Sequence, residues 1–314
     1  MDKSIKIKAK FKDFFSIFGL LAVVLVSSFV SDKFLSINNL ITVLRQSSIL
    51  LILSLGLTGV VLTGGIDLSI SAIAAFVGCT AAQLLKSGVS IPSVVLIGLI
   101  VGGIIGIFNG LLVGKLKIPP FVATYGMMMV INGFSLIMMQ GAIIYGLPEG
   151  FTWFGVGYIG FVPIPVMLAF FVSLIFIVMF RMTTFGAELY IIGANETAAK
   201  YSAVSVDKRL ITIYAISGMT AGFAGLILTA RLDAAEVAMS ESFGLQTVAA
   251  VVIGGTSLLG GEGGAFGTVI GALILTIVVN IMNLMGISSF MQPIVVGVVI
   301  IATVFLDVTT KRTK

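Results

Sequence analysis

Few side chains in this 314-residue sequence could do chemistry, and their types narrow the choice. There is no histidine and a single cysteine, Cys79. That removes the commonest general base, a Ser-His-Asp triad and any cysteine cluster for metal. No catalytic residue and no metal site are expected. No G-x-x-x-x-G-K-[S/T] loop occurs, so the chain is not expected to hydrolyse ATP itself. Residues 155–160 (GVGYIG) fit G-x-G-x-x-G, but they precede an apolar run instead of joining a strand to a helix, and are set aside.

What remains is one acid and a handful of amides in apolar surroundings. Asp67 is the carboxylate placed at or near membrane depth, where an ionisable group is costly unless paired or hydrated and is a functional candidate. It also follows Gly64-Gly65 and precedes Ser69, where it could cap a helix. Asn109, Asn132, Gln140, Asn280 and Asn283 sit within apolar runs. Such amides either line a pathway for hydroxyl-bearing solutes or hydrogen-bond between helices. An ion-coupled secondary transporter is the competing class; it needs a relay of buried carboxylates, and Asp67 alone is a thin supply.

These residues must be positioned by membrane-embedded elements. The chain is 58% hydrophobic and only 10% charged, against roughly 25% charged in a soluble domain. Its mean hydropathy is +1.20. The expected fold is an all-α polytopic membrane protein of about ten transmembrane helices, over 14–32, 46–64, 67–85, 91–113, 121–140, 161–180, 210–230, 244–260, 266–286 and 290–307. Each run is near the ~20 residues a spanning helix needs, and none alternates in polarity as a spanning strand would.

Alternating sides from the basic start puts fourteen of the eighteen Lys and Arg on one side, leaving Lys33, Arg45, Lys86 and Arg231 on the other. The positive-inside rule then makes both termini cytoplasmic. The divisions are a basic cytoplasmic N-terminus (1–13), a membrane domain (14–307) with a cytoplasmic loop inside it (181–209), and a cytoplasmic C-terminus (308–314). The basic start followed by 14–30 also fits a signal peptide, but without a small-x-small site an uncleaved first span is expected. Residues 141–160 form an outer loop whose Tyr145, Trp153 and Tyr158 suit a membrane interface. The loop 181–209 holds seven of the 31 charges and either docks a soluble partner or is a solvated connector.

Gly98, Gly102, Gly106, Gly110 and Gly114 recur every fourth residue, a strip on one helix face that admits another backbone. Gly263, Gly267 and Gly271 repeat the spacing. Residues 63–78 (TGGIDLSISAIAAFVG) and 253–271 (IGGTSLLGGEGGAFGTVIG) both read as a glycine pair, a short polar turn and a small-residue helix. They suggest an internal repeat, as in many transporters, or convergence of composition.

These motifs resemble the ribose-type permease family of bacterial ABC sugar importers. The resemblance rests on the TGGIDLSISA hairpin, on Asn109-Gly-Leu-Leu-Val with KIPPFVATYGMM after it, and on AAVVIGGTSLLGGEGGAFGTVIGAL. It also rests on residues 193–204 (GANETAAKYSAV), which match the family's G-x-N-x-x-A-A-x-x-S-G-I segment, and it spans about 35–305. It implies a permease of the bacterial inner membrane that passes ribose or a related monosaccharide inward by alternating access. It implies as partners a second permease copy or paralogue, an ATPase subunit carrying the ATP and Mg, and an extracytoplasmic solute-binding protein. The chain itself would hold no cofactor, its surroundings are lipid, and nucleic acid is not an expected partner. A sugar-like autoinducer or a branched-chain amino acid is the alternative cargo within the same class. Gly193, Asn195, Glu196, Ala198, Ala199, Ser202 and Ala203 would form the ATPase-coupling loop, with Asn195 capping a short helix. Three residues depart from the family pattern. Ala203 stands at a usual glycine, read as a mild change within the short helix. Ser71 replaces a frequent glycine, and Glu262 replaces a frequent Lys or Arg.

Overall fold

The computed structural model describes residues 3–312, with side chains for 16–302 and for Phe305. The terminal lysines and arginine used in the charge count therefore lie outside the described side chains. Thirteen α-helices occur among the described residues: α1 (Lys3–Val30), α2 (Ile37–Leu62), α3 (Ile70–Lys86), α4 (Ile91–Gly114), α5 (Pro120–Met139), α6 (Glu149–Val156), α7 (Ile164–Met182), α8 (Thr184–Ala194), α9 (Glu196–Tyr201), α10 (Val206–Leu232), α11 (Glu241–Ile253), α12 (Ala265–Leu284) and α13 (Gln292–Arg312). Strands are confined to two antiparallel two-residue pairings. The protein is an all-α polytopic membrane protein.

Among the described residues six helices, α2, α4, α5, α7, α10 and α12, are long and apolar enough to cross a bilayer; shorter apolar helices cover Ser16–Val30, Ile70–Lys86, Glu241–Ile253 and Ser289–Ala302. Proline and serine set several starts. Ser36 accepts the Asn39 amide at the head of α2, and Pro119-Pro120 opens α5 where the missing N–H costs nothing. Two expected spans are cut short. The run 67–85 becomes helical only at Ile70, and 244–260 stops being helical after Ile253. Apolarity alone does not enforce a helix. Gly64, Gly255, Gly260, Gly261, Gly263 and Gly264 all adopt positive φ, which breaks both runs into turns.

The long α10 is the hub, packed on α4, α2 and α3. The row Gly98–Gly114 lies along it. A Cβ at Gly102 would overlap the Gly218 carbonyl, one at Gly106 would lie 2.9 Å from Ala215 Cα, and one at Gly110 would lie 2.5 Å from Ile211 Cα. Within lipid the hydrophobic effect does not join helices, so this close backbone packing must. The second glycine row is not a single helix face. Gly267 and Gly271 on α12 meet Gly254 and Ala250 of α11, but Gly263 precedes the helix, with φ 121°.

At one end of the bundle the expected outer loop is itself folded. Ile144 and Tyr145 pair with Ala235 and Ala234, and α6 follows. Lys86 Nζ donates to Gly146 O (2.6 Å), and Arg45 donates to Val156 O (3.0 Å) with its guanidinium 4.5 Å from the Tyr158 ring. The expected inner loop is also folded, into α8 and α9 at the opposite end.

Candidate functional site

The turn between α2 and α3 carries a fully buried polar cluster. Asp67 is completely enclosed, as are Ser69, Asn109 and Ser217. Asp67 Oδ1 accepts from the Ser69 amide (3.0 Å) and the Ser69 hydroxyl (2.6 Å), and Oδ2 accepts from Ser217 on α10 (3.0 Å). Asn109 on α4 donates to Ser69 Oγ (2.8 Å), while its Oδ1 is buried without a hydrogen-bond partner. The flanking backbone is held as well. Tyr214 Oη and Thr124 Oγ1 both donate to Ile66 O, at 3.4 and 3.2 Å, and Thr124 Oγ1 accepts from the Leu68 amide (3.2 Å). Buried non-helical backbone is tolerated here because protein groups satisfy it. Asp67 does not occupy the cap position of α3, which belongs to Ser69. It holds the capping residue instead, tying α3 to α10 directly and to α4 through Ser69.

The other candidate amides do not join this cluster. Asn280 exchanges two hydrogen bonds with Asn39, at 2.9 and 3.0 Å, which clamp α12 to α2. Asn283 is exposed and accepts from Gln292 (2.7 Å). Gln140 ends α5 in a left-handed conformation, and Asn132 lies half-buried on α5. The candidates thus separate by neighbour into one buried cluster and several helix-helix or helix-end contacts, which sequence spacing could not show.

At the end of the bundle that holds the two glycine turns, α8 and α9 meet at Asn195. It closes α8 through its amide, bonded to Ile191 O (3.0 Å), and starts α9 by accepting the Ala198 amide (2.9 Å). Ala199 is buried, whereas Thr197, Ala198, Tyr201 and Ser202 are exposed, so α9 is seated by one side and presented by the other. Glu196 pairs with Lys200 (2.7 Å) and with Lys117 (3.7 Å), and Lys117 also binds Asp207 (2.7 Å). The hydrogen-bonded Lys200 ammonium, aided by Lys117, holds the Glu196 carboxyl below its usual range. Arg209 pairs with Glu188 across the base. Ala203 is not inside the short helix. It lies beyond its end at φ 60°, so the departure from glycine falls where a side chain is strained. Gly193 is required sterically, since a Cβ there would overlap the Leu62 carbonyl oxygen.

Lys117, Tyr190, Ser217, Thr124 and Asn39 were not among the residues singled out in the sequence. The available signal was a lone hydroxyl or amide in an apolar helix, shared by many residues with no partner marked.

The fold is that of an integral-membrane protein, and the chain belongs to the family described as the branched-chain amino acid transport system permease component, whose model matches residues 39–304. Its relatives are more specific. It is 41% identical over 291 residues to the ribose import permease protein RbsC of Bacillus subtilis strain 168, covering 92% of this chain and 90% of that one. It is 38% identical over 296 residues to RbsC of Escherichia coli K12 (93% and 92% covered). It is 35% identical over 303 residues to the D-allose transport system permease protein AlsC of the same strain (95% and 93%). No solved structure matches the chain.

Proposed function

We propose that this chain is the permease of an inner-membrane ABC importer that passes a monosaccharide, ribose or a close relative, into the cell by alternating access. The reading has both termini cytoplasmic and puts α9 on that side as the contact for a separate ATPase, with a solute-binding protein delivering cargo to the opposite face. The observation that carries it is α9: a capped six-residue helix, seated on Ala199, with Thr197, Ala198 and Tyr201 turned outward beside both helix breaks. The sugar permeases among its relatives favour a sugar over a branched-chain amino acid.

A second permease copy or paralogue completes the pathway in this reading. Nearly every helical glycine of α2, α4, α10 and α12 abuts another element, but positions for a Cβ at Gly126 and Gly133 on α5 meet nothing within 4 Å. The same face carries exposed Val122, Met129, Val130 and Ile137. Glycines seven residues apart on an uncovered membrane helix suit close packing by another copy. Gly126→Trp is expected to leave the single copy folded and shift the purified protein from dimer to monomer by light scattering; an unchanged mass would remove α5 from the contact.

The deciding experiment reconstitutes the chain with its partner ATPase and solute-binding protein and follows labelled ribose into liposomes. Uptake should require ATP and ignore a protonophore. Uptake by the chain alone, or its collapse with protonophore at constant ATP, would instead mark an ion-coupled carrier. A thermal-shift screen of the solute-binding protein identifies the sugar.

A further inference from the structure

The end of α8 does more than lead into α9. Tyr190 Oη donates to the Gly263 carbonyl (2.9 Å), inside the turn between α11 and α12. Three residues on, Gly193 lies against the Leu62 carbonyl that ends α2, and a Cβ there would come within 2.5 Å of the Gly261 amide. That amide donates to Leu62 O (2.9 Å). A Cβ on Gly260 would lie 2.7 Å from Gly64 N and 3.0 Å from Gly193 Cα. The two helix breaks and the α8 terminus therefore touch at one node of glycine backbones.

The two flanks of α9 are unlike each other. On the node side there is no slack. On the other side a cleft of about 370 Å³ opens between Gly64, Ile118, Pro120, Glu196 and Tyr214. The exposed Lys117–Glu196 pair reaches across that cleft at 3.7 Å. Because Asn195 belongs to both helices, a displacement of α9 carries α8 with it. Close-packed backbone transmits such a shift, whereas a half-exposed ion pair over a hollow yields.

From this arrangement we infer that Tyr190 is a positioning residue that makes the second glycine turn follow α9. Its hydroxyl is the side-chain hook on that turn, and Gly193 is the close contact that lets the hook bear on α2 as well. Movement imposed on α9 is thereby delivered to the start of α12 and the end of α2 together. The inference rests on the importer reading above.

The test uses the reconstituted importer with Tyr190→Phe, which removes one oxygen. ATP hydrolysis should stay within about twofold of the parent, while solute imported per ATP falls about fivefold, the weight of one neutral hydrogen bond. Simple loss of active complex lowers both rates and leaves their ratio unchanged, so an unchanged ratio overturns the inference. A second measurement needs no variant. On trapping the parent complex with a non-hydrolysable ATP analogue, amide exchange in 188–195 and in 254–264 should change together. A change in the first segment with none in the second overturns the inference too. A parent complex without ATP-dependent import would refute the importer reading instead, so the two failures are distinct.

Discussion

The chain breaks its apolar helices at two glycine pairs, and the breaks are held by opposite means. Between α2 and α3 the turn is short and its polar cluster is buried, with Asp67 drawing in donors from the cap of α3 and from α10. The helices on either side of it scarcely touch. Between α11 and α12 the turn is long, with five glycines at positive φ, and no buried carboxylate holds it. Its helices form a tight antiparallel pair through Gly254, Gly267, Ala250 and Gly271. The first break is thus fixed by hydrogen bonds to the bundle, and the second by its own helix contact and by α8. Similar sequence has produced one turn held by buried hydrogen bonds and one held by helix packing, so the likeness of the two segments does not extend to how they are supported.

The largest expected effect attacks the buried hydrogen bonds of the first turn. Asp67→Ala leaves the Ser69 amide and hydroxyl and the Ser217 hydroxyl without their acceptor in a dry site, costing about 3 kcal/mol or more. Leu259→Ala, at an exposed position in the second turn, should stay within about 0.5 kcal/mol of the parent. Thermal unfolding in detergent checks both. Equal losses would mean that the two turns are not built differently. Next comes the helix contact of the second break. A Cβ on Gly271 would overlap the Ala250 carbonyl and approach Gly254 N to 2.7 Å, both rigid backbone. Gly271→Ala should cost about 1–3 kcal/mol, while Gly133→Ala, into open space on α5, should not destabilise a single copy. Indifference to Gly271→Ala would remove the helix contact as the second turn's support.

How much of this was legible follows from where each constraint lies along the chain. The four-residue spacing of Gly98 to Gly114 is a local signal, and it named a packing face without naming α10 as its partner. Asn195 announced a helix start because its cap bond spans three residues. Ser217 lies 150 residues from Asp67, and Asn39 lies 241 from Asn280. A hydroxyl in an apolar helix does not say which neighbour it meets. Helix breaks were hidden for a different reason. Hydropathy reports solvent and not backbone conformation, so 67–69 and 254–260 read as parts of spans. The strain at Ala203 was missed because a C-terminal boundary two residues early moves that position from inside α9 to beyond it.

That strain gives a prediction of intermediate size, on the segment that follows α9. At φ 60° an alanine pays a steric cost that glycine does not, partly offset by the freedom glycine has when unfolded. Ala203→Gly should stabilise the protein by about 0.5–1 kcal/mol, seen as a small rise in melting temperature. A loss of stability would show that the αL conformation is supported by contacts of the Ala203 methyl.

The smallest effect concerns charge on the same segment. The Glu196 carboxyl is held below its ordinary value of 4.5, first by its hydrogen bond to Lys200, with Asp207 opposing. Lys200 is raised by the same bond. A depressed acid stabilises the folded form above its unfolded value, and that contribution is lost as pH falls through the folded one. A raised base keeps its contribution until pH climbs through its own raised value. The pair therefore supports α9 across neutral pH and fails in acid below the ordinary glutamate range. Glu196→Gln should raise amide exchange in α9 about twofold at pH 7, the weight of an exposed i,i+4 pair. At pH 3 the difference from the parent should shrink, since the parent is then losing the same charge. The 63–69 turn, which has no part in this pair, should not respond at either pH. A response there equal to that of α9 would mean that the first turn leans on the α9 ion pair as well as on its buried hydrogen bonds, and would erase the contrast between the two breaks.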